Sequence, residues 1–267
     1  ADAADAWRSS IAAWALPERI VAAAPASPWR HDVARFAIDD TVDRETTSAR
    51  WGREVLPPVG GTVLDVGCGG GRSVAPLVPP ASEVIGVDAV GAMLDEFVDA
   101  AARLGVARRT VHGTWPDVAA TTPSADLVIC HHVVYNVADL VPFVAALTHR
   151  ARLAVVVEAP VRHPMSAWNA AFERFWALSR PAGPTHHDLI AVLRELGLDV
   201  EHTVSPHRKV SRFAADPANL VPSARRRLGL GAERDAELEV WLADHPPVFV
   251  DEVVTIRWPG EAGADLV

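Results

Sequence analysis

Two hydrophobic patterns alternate along the chain after about residue 57. Short, nearly continuous apolar runs are typical of strands buried on both faces of a parallel sheet. Apolar residues three or four positions apart indicate helices that pack against such a sheet. The alternation therefore predicts an α/β fold. The runs that predict strands are 63–66, 83–88, 110–113, 125–131, 151–158, 199–204 and 251–258.

The segment before residue 57 has no strand pattern. It is rich in alanine and is interrupted by three prolines, which predicts short helices joined by turns. A second helical region, about 216–245, precedes the last predicted strand. Because 267 residues can enclose one sizeable core, we expect a single structural domain. It would comprise an N-terminal helical segment over 1–56 and an α/β part over 57–267.

The first predicted strand runs directly into a glycine-rich turn. It ends with Asp65 and Val66, and the sequence from Asp65 follows the pattern Asp-x-Gly-x-Gly-x-Gly, with glycines at positions 67, 69 and 71. The next strand also ends on a carboxylate, Asp88. Glycines allow a ligand to lie against bare backbone. This order predicts a nucleoside-binding βαβ unit: a strand, a glycine loop, a short helix and a second strand that ends in an acid.

The spacing of the glycines indicates which nucleoside cofactor this unit binds. A dinucleotide loop follows G-x-G-x-x-G, but the sixth position counted from Gly67 is Arg72, and no Gly-Lys-Ser/Thr sequence is present for a phosphate-binding loop. A carboxylate at Asp65 would repel a pyrophosphate but would suit a ligand with an ammonium and a sulfonium group. S-adenosylmethionine carries both. A nicotinamide-dependent oxidoreductase and a non-catalytic S-adenosylmethionine-binding module remain as alternatives.

These motifs resemble those of the class I, Rossmann-like S-adenosylmethionine-dependent methyltransferases. The resemblance spans about residues 63–158 and implies a seven-stranded, mostly parallel sheet with helices on both faces, in which the last strand pairs with the sixth. It also implies that the N-terminal helices form a lid over the cofactor site, and the helical region 216–245 is then an insertion before the last strand. The implied product is S-adenosylhomocysteine.

The resemblance also implies roles for individual residues. Asp65 would anchor the methionine part of the cofactor, and Asp88 would bind the two ribose hydroxyls. The loop residues predicted to contact the cofactor, together with the residue after Asp88, are Gly67, Cys68, Gly69, Gly71 and Ala89.

The residues after the third strand are expected to meet the adenine. The family often has an acidic side chain after a glycine here, but this chain has Gly113, Thr114 and Trp115. Adenine recognition would then depend on backbone groups and on the indole of Trp115. The alternative is that Trp115 covers an edge of the sheet.

The fourth strand is followed by candidate catalytic residues. Ligands of open α/β sheets bind at the carboxyl ends of the strands, which places His131, His132 and Tyr135 where a methyl acceptor would lie. Methyl transfer requires a nucleophile that is collinear with the departing sulfur. A hydroxyl or thiol acceptor also needs a base, and histidine suits neutral pH. We expect His132, with Tyr135 as a second candidate, to be catalytic and the backbone of His131 to contact the cofactor. Packing roles are the alternative.

Further candidates come from segments outside the motifs. In the N-terminal lid, Phe36 is a lid candidate and Arg50 is a candidate ligand of the cofactor carboxylate. The tryptophans there could instead serve to attach helices to the sheet. The adjacent histidine pairs lack metal-ligand spacing, so no metal is expected. The residues predicted to line an acceptor pocket are Trp29, His31, His163, Trp168 and Phe172.

Composition narrows the expected partners. A formal net charge of −9 opposes binding to nucleic acid, so the expected partner is a small-molecule methyl acceptor. No apolar run has the length and lack of charge needed to span a bilayer, and the N-terminus lacks a secretory leader pattern. Only two cysteines are present, without disulfide-framework spacing. We therefore expect a cytoplasmic enzyme that contacts no membrane.

Overall fold

The computed structural model describes residues 2–28, 38, 42–207 and 217–261. Its central element is a seven-stranded sheet in the order β3-β2-β1-β4-β5-β7-β6. Strands β1 to β5 pair in parallel, so the predicted seven-stranded, mostly parallel sheet is confirmed. The strands are β1 Gly61–Val66, β2 Ala81–Asp88, β3 Ala107–His112, β4 Ala125–His131, β5 Ala151–Pro160, β6 Glu201–Pro206 and β7 Glu252–Pro259.

Strand β7 is inserted between β5 and β6 and runs opposite to β5. Two backbone hydrogen bonds establish this direction, because Gly260 N donates to Leu153 O while Val161 N donates to Glu252 O. The strand order reverses between β1 and β4, and such a reversal opens a crevice at the carboxyl ends of the strands. The sheet therefore creates its ligand-binding edge next to the glycine loop that follows β1.

Nine α-helices lie in the described parts of the chain. The third strand begins at Ala107, three residues earlier than predicted. The helix before β5 ends at Arg150, directly before that strand begins. The predicted helical insertion before the last strand contains α8 and α9. The helices are α1 Ala3–Ala12, α2 Glu18–Ala23, α3 Thr47–Val55, α4 Gly91–Arg103, α5 Leu140–Arg150, α6 Asn169–Trp176, α7 His186–Glu195, α8 Pro217–Leu228 and α9 Asp235–Asp244.

The described residues fall into two compact units. The sheet unit comprises 38, 42–159, 190–203 and 254–261. Its core contains Val63, Val84, Phe97, Leu127 and Val156. Helix α3 belongs to this unit because Trp51 and Val55 pack against that core.

The helical unit comprises 2–28, 160–189, 204–207 and 217–253. Its core contains Trp14, Ile20, Phe172, Leu228 and Leu238. Helix α2 and the turn before it, through Ile20 and Trp14, thus share a core with α6, α8 and α9, because their apolar side chains are buried together. Among the described residues, no helix combines the length and the apolar character required to cross a membrane.

Candidate functional site

Asp65 is a fully buried carboxylate near the end of β1. Neither of its oxygens has a hydrogen-bond partner in the described parts of the chain. Burial, with a further contribution from the charge of Asp88, raises the pKa of Asp65 well above its ordinary value of 3.8. A buried carboxyl group without partners is costly. A ligand that brought hydrogen-bond donors or positive charge to Asp65 would remove this cost.

The glycine loop after β1 uses its own N–H groups internally. Gly67 N and Cys68 N both donate to Val87 O, at 2.8 and 3.0 Å, and Gly71 N donates to Cys68 O. Gly69 N donates to Asp88 Oδ2 at 3.0 Å. Loops that bind phosphate direct such N–H groups at the ligand. These four N–H groups are therefore not directed at a ligand.

Close packing explains why position 67 requires glycine. Its φ is +74°, and a Cβ atom built there would lie 2.4 Å from Val133 Cγ2. Between β1 and β2, the thiol of Cys68 is turned toward Gly86, where an added Cβ would come within 2.8 Å of Sγ. Burial raises the pKa of this thiol. Cys68 can therefore contact a ligand of the loop only through its backbone.

Asp88 closes the loop at the end of β2. Its Oδ2 accepts the hydrogen bond from Gly69 N, and its Oδ1 accepts one from Val90 N at 2.9 Å. Each carboxylate oxygen has a second lone pair, so Asp88 can accept two further hydrogen bonds. The exposed Ala89 follows it, with its carbonyl oxygen 3.1 Å from His112 Nε2. Asp88 thus combines a structural role in the loop with acceptor capacity for a ligand.

The residues after β3 continue this edge of the sheet. Gly113 N donates to Asp88 O at 3.1 Å, and the side chain of Thr114 is exposed. Trp115 is buried, and its Nε1 donates to Phe143 O at 3.2 Å. The indole N–H is therefore already used to attach α5. A contact between Trp115 and the adenine stays a prediction, and the indole N–H does not take part in it.

His132 follows β4 and is paired with Glu158 on the neighbouring β5. His132 has a φ of +60°, a conformation that residues other than glycine rarely adopt and that often marks functional positions. His132 N donates to Glu158 O at 2.7 Å. His132 Nε2 lies 3.0 Å from Glu158 Oε1. Both the backbone and the ring of His132 are thus positioned by β5.

Glu158 is in turn bound by Ser48 of α3, whose Oγ donates to Glu158 Oε2 at 2.5 Å. The side chain of Glu158 is 6% exposed, whereas that of His132 is 41% exposed. Burial alone would raise the pKa of Glu158. Three neighbours outweigh burial: His132 by its hydrogen bond and charge, His131 by its charge, and Ser48 by its hydroxyl. The pKa of Glu158 therefore lies well below its ordinary value of 4.5. A charged, buried carboxylate therefore orients a histidine that reaches solvent.

A family model described as a methyltransferase domain matches residues 63–154, which extend from β1 into β5. The chain carries a methyltransferase domain. No curated protein matches the sequence. The prediction of a class I S-adenosylmethionine-dependent methyltransferase is confirmed by this match together with the sheet topology.

Solved structures share the fold of this methyltransferase. An S-adenosylmethionine-dependent methyltransferase from Thiobacillus denitrificans, in complex with S-adenosyl-L-homocysteine, is 17% identical, with a TM-score of 0.54 over 91% of this chain and 98% of that chain. One from Geobacter sulfurreducens, also in complex with S-adenosyl-L-homocysteine, is 17% identical, with a TM-score of 0.55 over 83% of this chain and 93% of that chain. At these identities the similarity concerns the fold.

The loop and strand ends of the methyltransferase domain fit S-adenosylmethionine. Asp65 has buried acceptor atoms without partners for an ammonium group, and Asp88 retains acceptor capacity for hydroxyl groups. In the loop between them, the N–H groups of Gly67, Cys68, Gly69 and Gly71 are bonded within the protein and are not available to a phosphate. When bound, S-adenosylmethionine supplies a methyl group on a positively charged sulfur.

Other predicted site residues of the sheet unit differ in how far they are exposed. Arg50 is exposed on α3, with Nη2 donating to Thr47 Oγ1 at 3.3 Å. His131 is half-buried at the end of β4. Tyr135 is buried in a short 3₁₀ helix over Val134–Asn136. Three predicted lid residues fall outside the described residues: Trp29, His31 and Phe36.

The remaining predicted acceptor contacts lie in the helical unit. His163 is buried, stacks on Trp14 with ring centroids 3.9 Å apart, and accepts a hydrogen bond at Nδ1 from Met165 N. Burial and the charge of Arg180 lower its pKa to about 4. Phe172 is fully buried in the core. His163 and Phe172 are thus core residues, whereas Trp168 lines a cavity of about 570 Å³.

Sequence reasoning missed Ser48 and Glu158 as site residues. The available signal for Glu158 was its position, since it ends the apolar run of β5 directly beside the histidines that end β4. No comparable signal marks Ser48, because its contact with Glu158 spans 110 positions of sequence.

Proposed function

We propose that the domain transfers a methyl group from S-adenosylmethionine to an oxygen, nitrogen or carbon atom of a small molecule. The observation that carries this proposal is Asp65, a fully buried carboxyl group without a partner among the described residues. It lies beside a glycine loop in which the N–H groups of Gly67, Cys68, Gly69 and Gly71 are already bonded within the protein. A cationic ligand is the chemistry that such a site stabilises.

In this proposal the loop residues act by shape and the two acids act by charge. The backbone of Gly67, Gly69 and Gly71, held in the turn that follows β1, contacts the methionine part of the cofactor. Asp65 accepts hydrogen bonds from its ammonium group, and Asp88 accepts them from the ribose hydroxyls. Because Trp115 already donates its N–H to Phe143, we assign adenine recognition to the backbone of Gly113 and Thr114.

We further propose that His132 is the general base for an acceptor that loses a proton. With Nε2 donating to Glu158, the neutral ring carries its proton on Nε2 and accepts the new proton at Nδ1. The carboxylate of Glu158 stabilises the imidazolium that forms. Glu158 and Ser48 are positioning residues in this scheme. An acceptor hydroxyl or thiol would be activated by this pair.

A small-molecule acceptor is favoured over nucleic acid by the charge of the chain. The formal net charge is −9, and the densest basic run, in α8, is engaged within the helical unit. Arg225 pairs with Asp235, and Arg227 donates to Pro28 O at 2.9 Å. These arginines therefore have less capacity to neutralise phosphates. A cytoplasmic location remains our proposal, supported by two free, buried cysteines.

The alternatives differ from this proposal at identifiable residues. A nicotinamide-dependent oxidoreductase needs loop N–H groups for its pyrophosphate, but those of Gly67, Cys68, Gly69 and Gly71 are bonded within the protein. A non-catalytic binding module needs no oriented histidine, whereas His132 is paired through both its ring and its backbone. Both features favour the enzyme.

The test is an acceptor screen that measures S-adenosylhomocysteine formation with pools of hydroxyl, thiol and amine compounds. For an accepted hydroxyl compound, His132→Asn is expected to lower kcat by about 100-fold and to leave the affinity for S-adenosylhomocysteine within twofold. The exposed His149→Asn variant on α5 serves as the matched control. Equal kcat for the wild type and His132→Asn would contradict the assigned role of His132.

A further inference from the structure

The helical unit contains a cavity of about 570 Å³, a size typical of small-molecule sites. All of its lining residues belong to this unit. They come from the 3₁₀ helix Pro164–Trp168, the start of α6, the end of α9 and the segment 245–248, with Arg162 and Ala182 from the neighbouring loops. Small side chains such as Ala167 and Ala171 leave the space open.

Two tryptophans form rigid aromatic surfaces in this cavity. Trp168 is buried and packs edge-on against Phe249, with ring centroids 5.5 Å apart. Trp241 stacks on His245 at 4.7 Å with an interplanar angle of 4°. Because both indoles are fixed by neighbouring rings, a flat ligand could bind against them without ordering them first.

Arg162 gives the cavity its charge. It is the one lining residue with a permanent charge among the described residues, and no carboxylate of the described chain pairs with it. Its backbone is fixed by a bridge to Thr185. A planar guanidinium beside aromatic rings suits a carboxylate attached to an aromatic ligand. The same charge disfavours a cationic ligand, although aromatic rings alone could accept one.

Asn169 adds a directional polar contact. Its Nδ2 donates to Pro181 O at 3.2 Å, which fixes the orientation of the amide because a carbonyl oxygen can only accept. Its Oδ1 is buried and has no partner among the described residues. An unsatisfied acceptor of this kind favours a ligand with a hydroxyl or N–H donor.

We propose that this cavity binds a planar aromatic carboxylate that carries a hydroxyl group. The ring lies against Trp168 and Trp241, the carboxylate pairs with Arg162, and the hydroxyl donates to Asn169 Oδ1. Occupation of the cavity requires no methyl transfer, so binding can be measured without an acceptor for the enzyme reaction.

The probe is hydroxynaphthoate, titrated calorimetrically into the full chain. Naphthol lacks the carboxylate, cyclohexanecarboxylate lacks the aromatic ring, and naphthyltrimethylammonium reverses the charge. Hydroxynaphthoate is expected to bind at least about tenfold more tightly than each of the three. Absence of hydroxynaphthoate binding, or equal or tighter binding of any of the three analogues, would overturn the proposal.

Variants locate the site. Arg162→Gln is expected to weaken hydroxynaphthoate binding by about tenfold or more while changing naphthol binding by less than about twofold. Arg194→Gln, an exposed arginine of α7, is the matched control. S-adenosylhomocysteine titrated into the same samples reports whether the sheet unit is folded, which separates failure of this proposal from failure of the methyl-transfer proposal. Unchanged hydroxynaphthoate affinity in Arg162→Gln would refute the site.

Discussion

Replacing Glu158 with glutamine tests whether this buried carboxylate supports the site by its charge. The glutamine side chain has the same shape and can keep both contacts, with its amide oxygen facing His132 Nε2 and its amide nitrogen facing Ser48 Oγ. The substitution therefore removes charge while preserving packing. His132 and Ser48 would then make neutral hydrogen bonds in place of charge-assisted ones.

The expected cost follows from the two contacts, at 3.0 Å to His132 and 2.5 Å to Ser48. A hydrogen bond to a charged group contributes about 1 kcal/mol more than a neutral one. Two such bonds predict that Glu158→Gln lowers the free energy of unfolding by about 2 kcal/mol at pH 7. The control is Glu54→Gln, because Glu54 is 60% exposed and shares Arg257 with Glu201. Its expected cost is below about 0.5 kcal/mol.

The pH dependence provides a second readout of the same substitution. The pKa of folded Glu158 lies below its ordinary value of 4.5, so the unfolded chain takes up a proton first as the pH falls. The stabilisation is complete above pH 4.5 and is lost progressively below it. Urea unfolding followed by circular dichroism should therefore give a difference between wild type and Glu158→Gln that shrinks below pH 4.5. A cost equal to that of Glu54→Gln, with no pH dependence, would refute the reasoning.

Three further substitutions test other parts of the structure. Asp65→Asn should raise the melting temperature of the ligand-free protein, because it removes a buried carboxyl group without partners, and should weaken S-adenosylmethionine binding at least tenfold by calorimetry. Gly67→Ala should lower the free energy of unfolding by about 1–3 kcal/mol; an unaltered value would contradict the contact with Val133. The pKa of His163 is lowered from 6.5 to about 4, so the unfolded chain takes up this proton first as the pH falls. The free energy of unfolding of the wild type should therefore decrease by on the order of 3 kcal/mol as the pH falls from 6.5 to 4. His163→Gln should remove that decline, and a persistent slope would assign it to other groups.

The local pattern of the sequence was sufficient to predict the cofactor edge. This edge consists of a strand that ends in Asp65, a loop of spaced glycines and a second strand that ends in Asp88. All of it lies within about 25 residues and depends on local backbone geometry, so the sequence pattern is enough to predict it. The parallel sheet follows from the same alternation. The start of β3 was missed because its outer residues, including Arg108 and Arg109, are exposed and polar.

Contacts between distant positions could not be predicted in the same way. The pairing of His132 with Glu158 depends on the register of β4 against β5, where His131 lies opposite Glu158. His163 resembled a pocket residue in the sequence, but its stacking on Trp14 joins segments about 150 positions apart. Such contacts arise from tertiary packing and leave no periodic trace in the chain.

The most direct test of the central claim is a parallel calorimetric titration of the purified protein with S-adenosylmethionine, S-adenosylhomocysteine and NAD. The structure predicts binding of the first two and not of NAD, and it predicts weaker binding of both by Asp88→Ala. Binding of NAD alone would contradict the assignment of the glycine loop and of Asp65 to a cationic, phosphate-free cofactor.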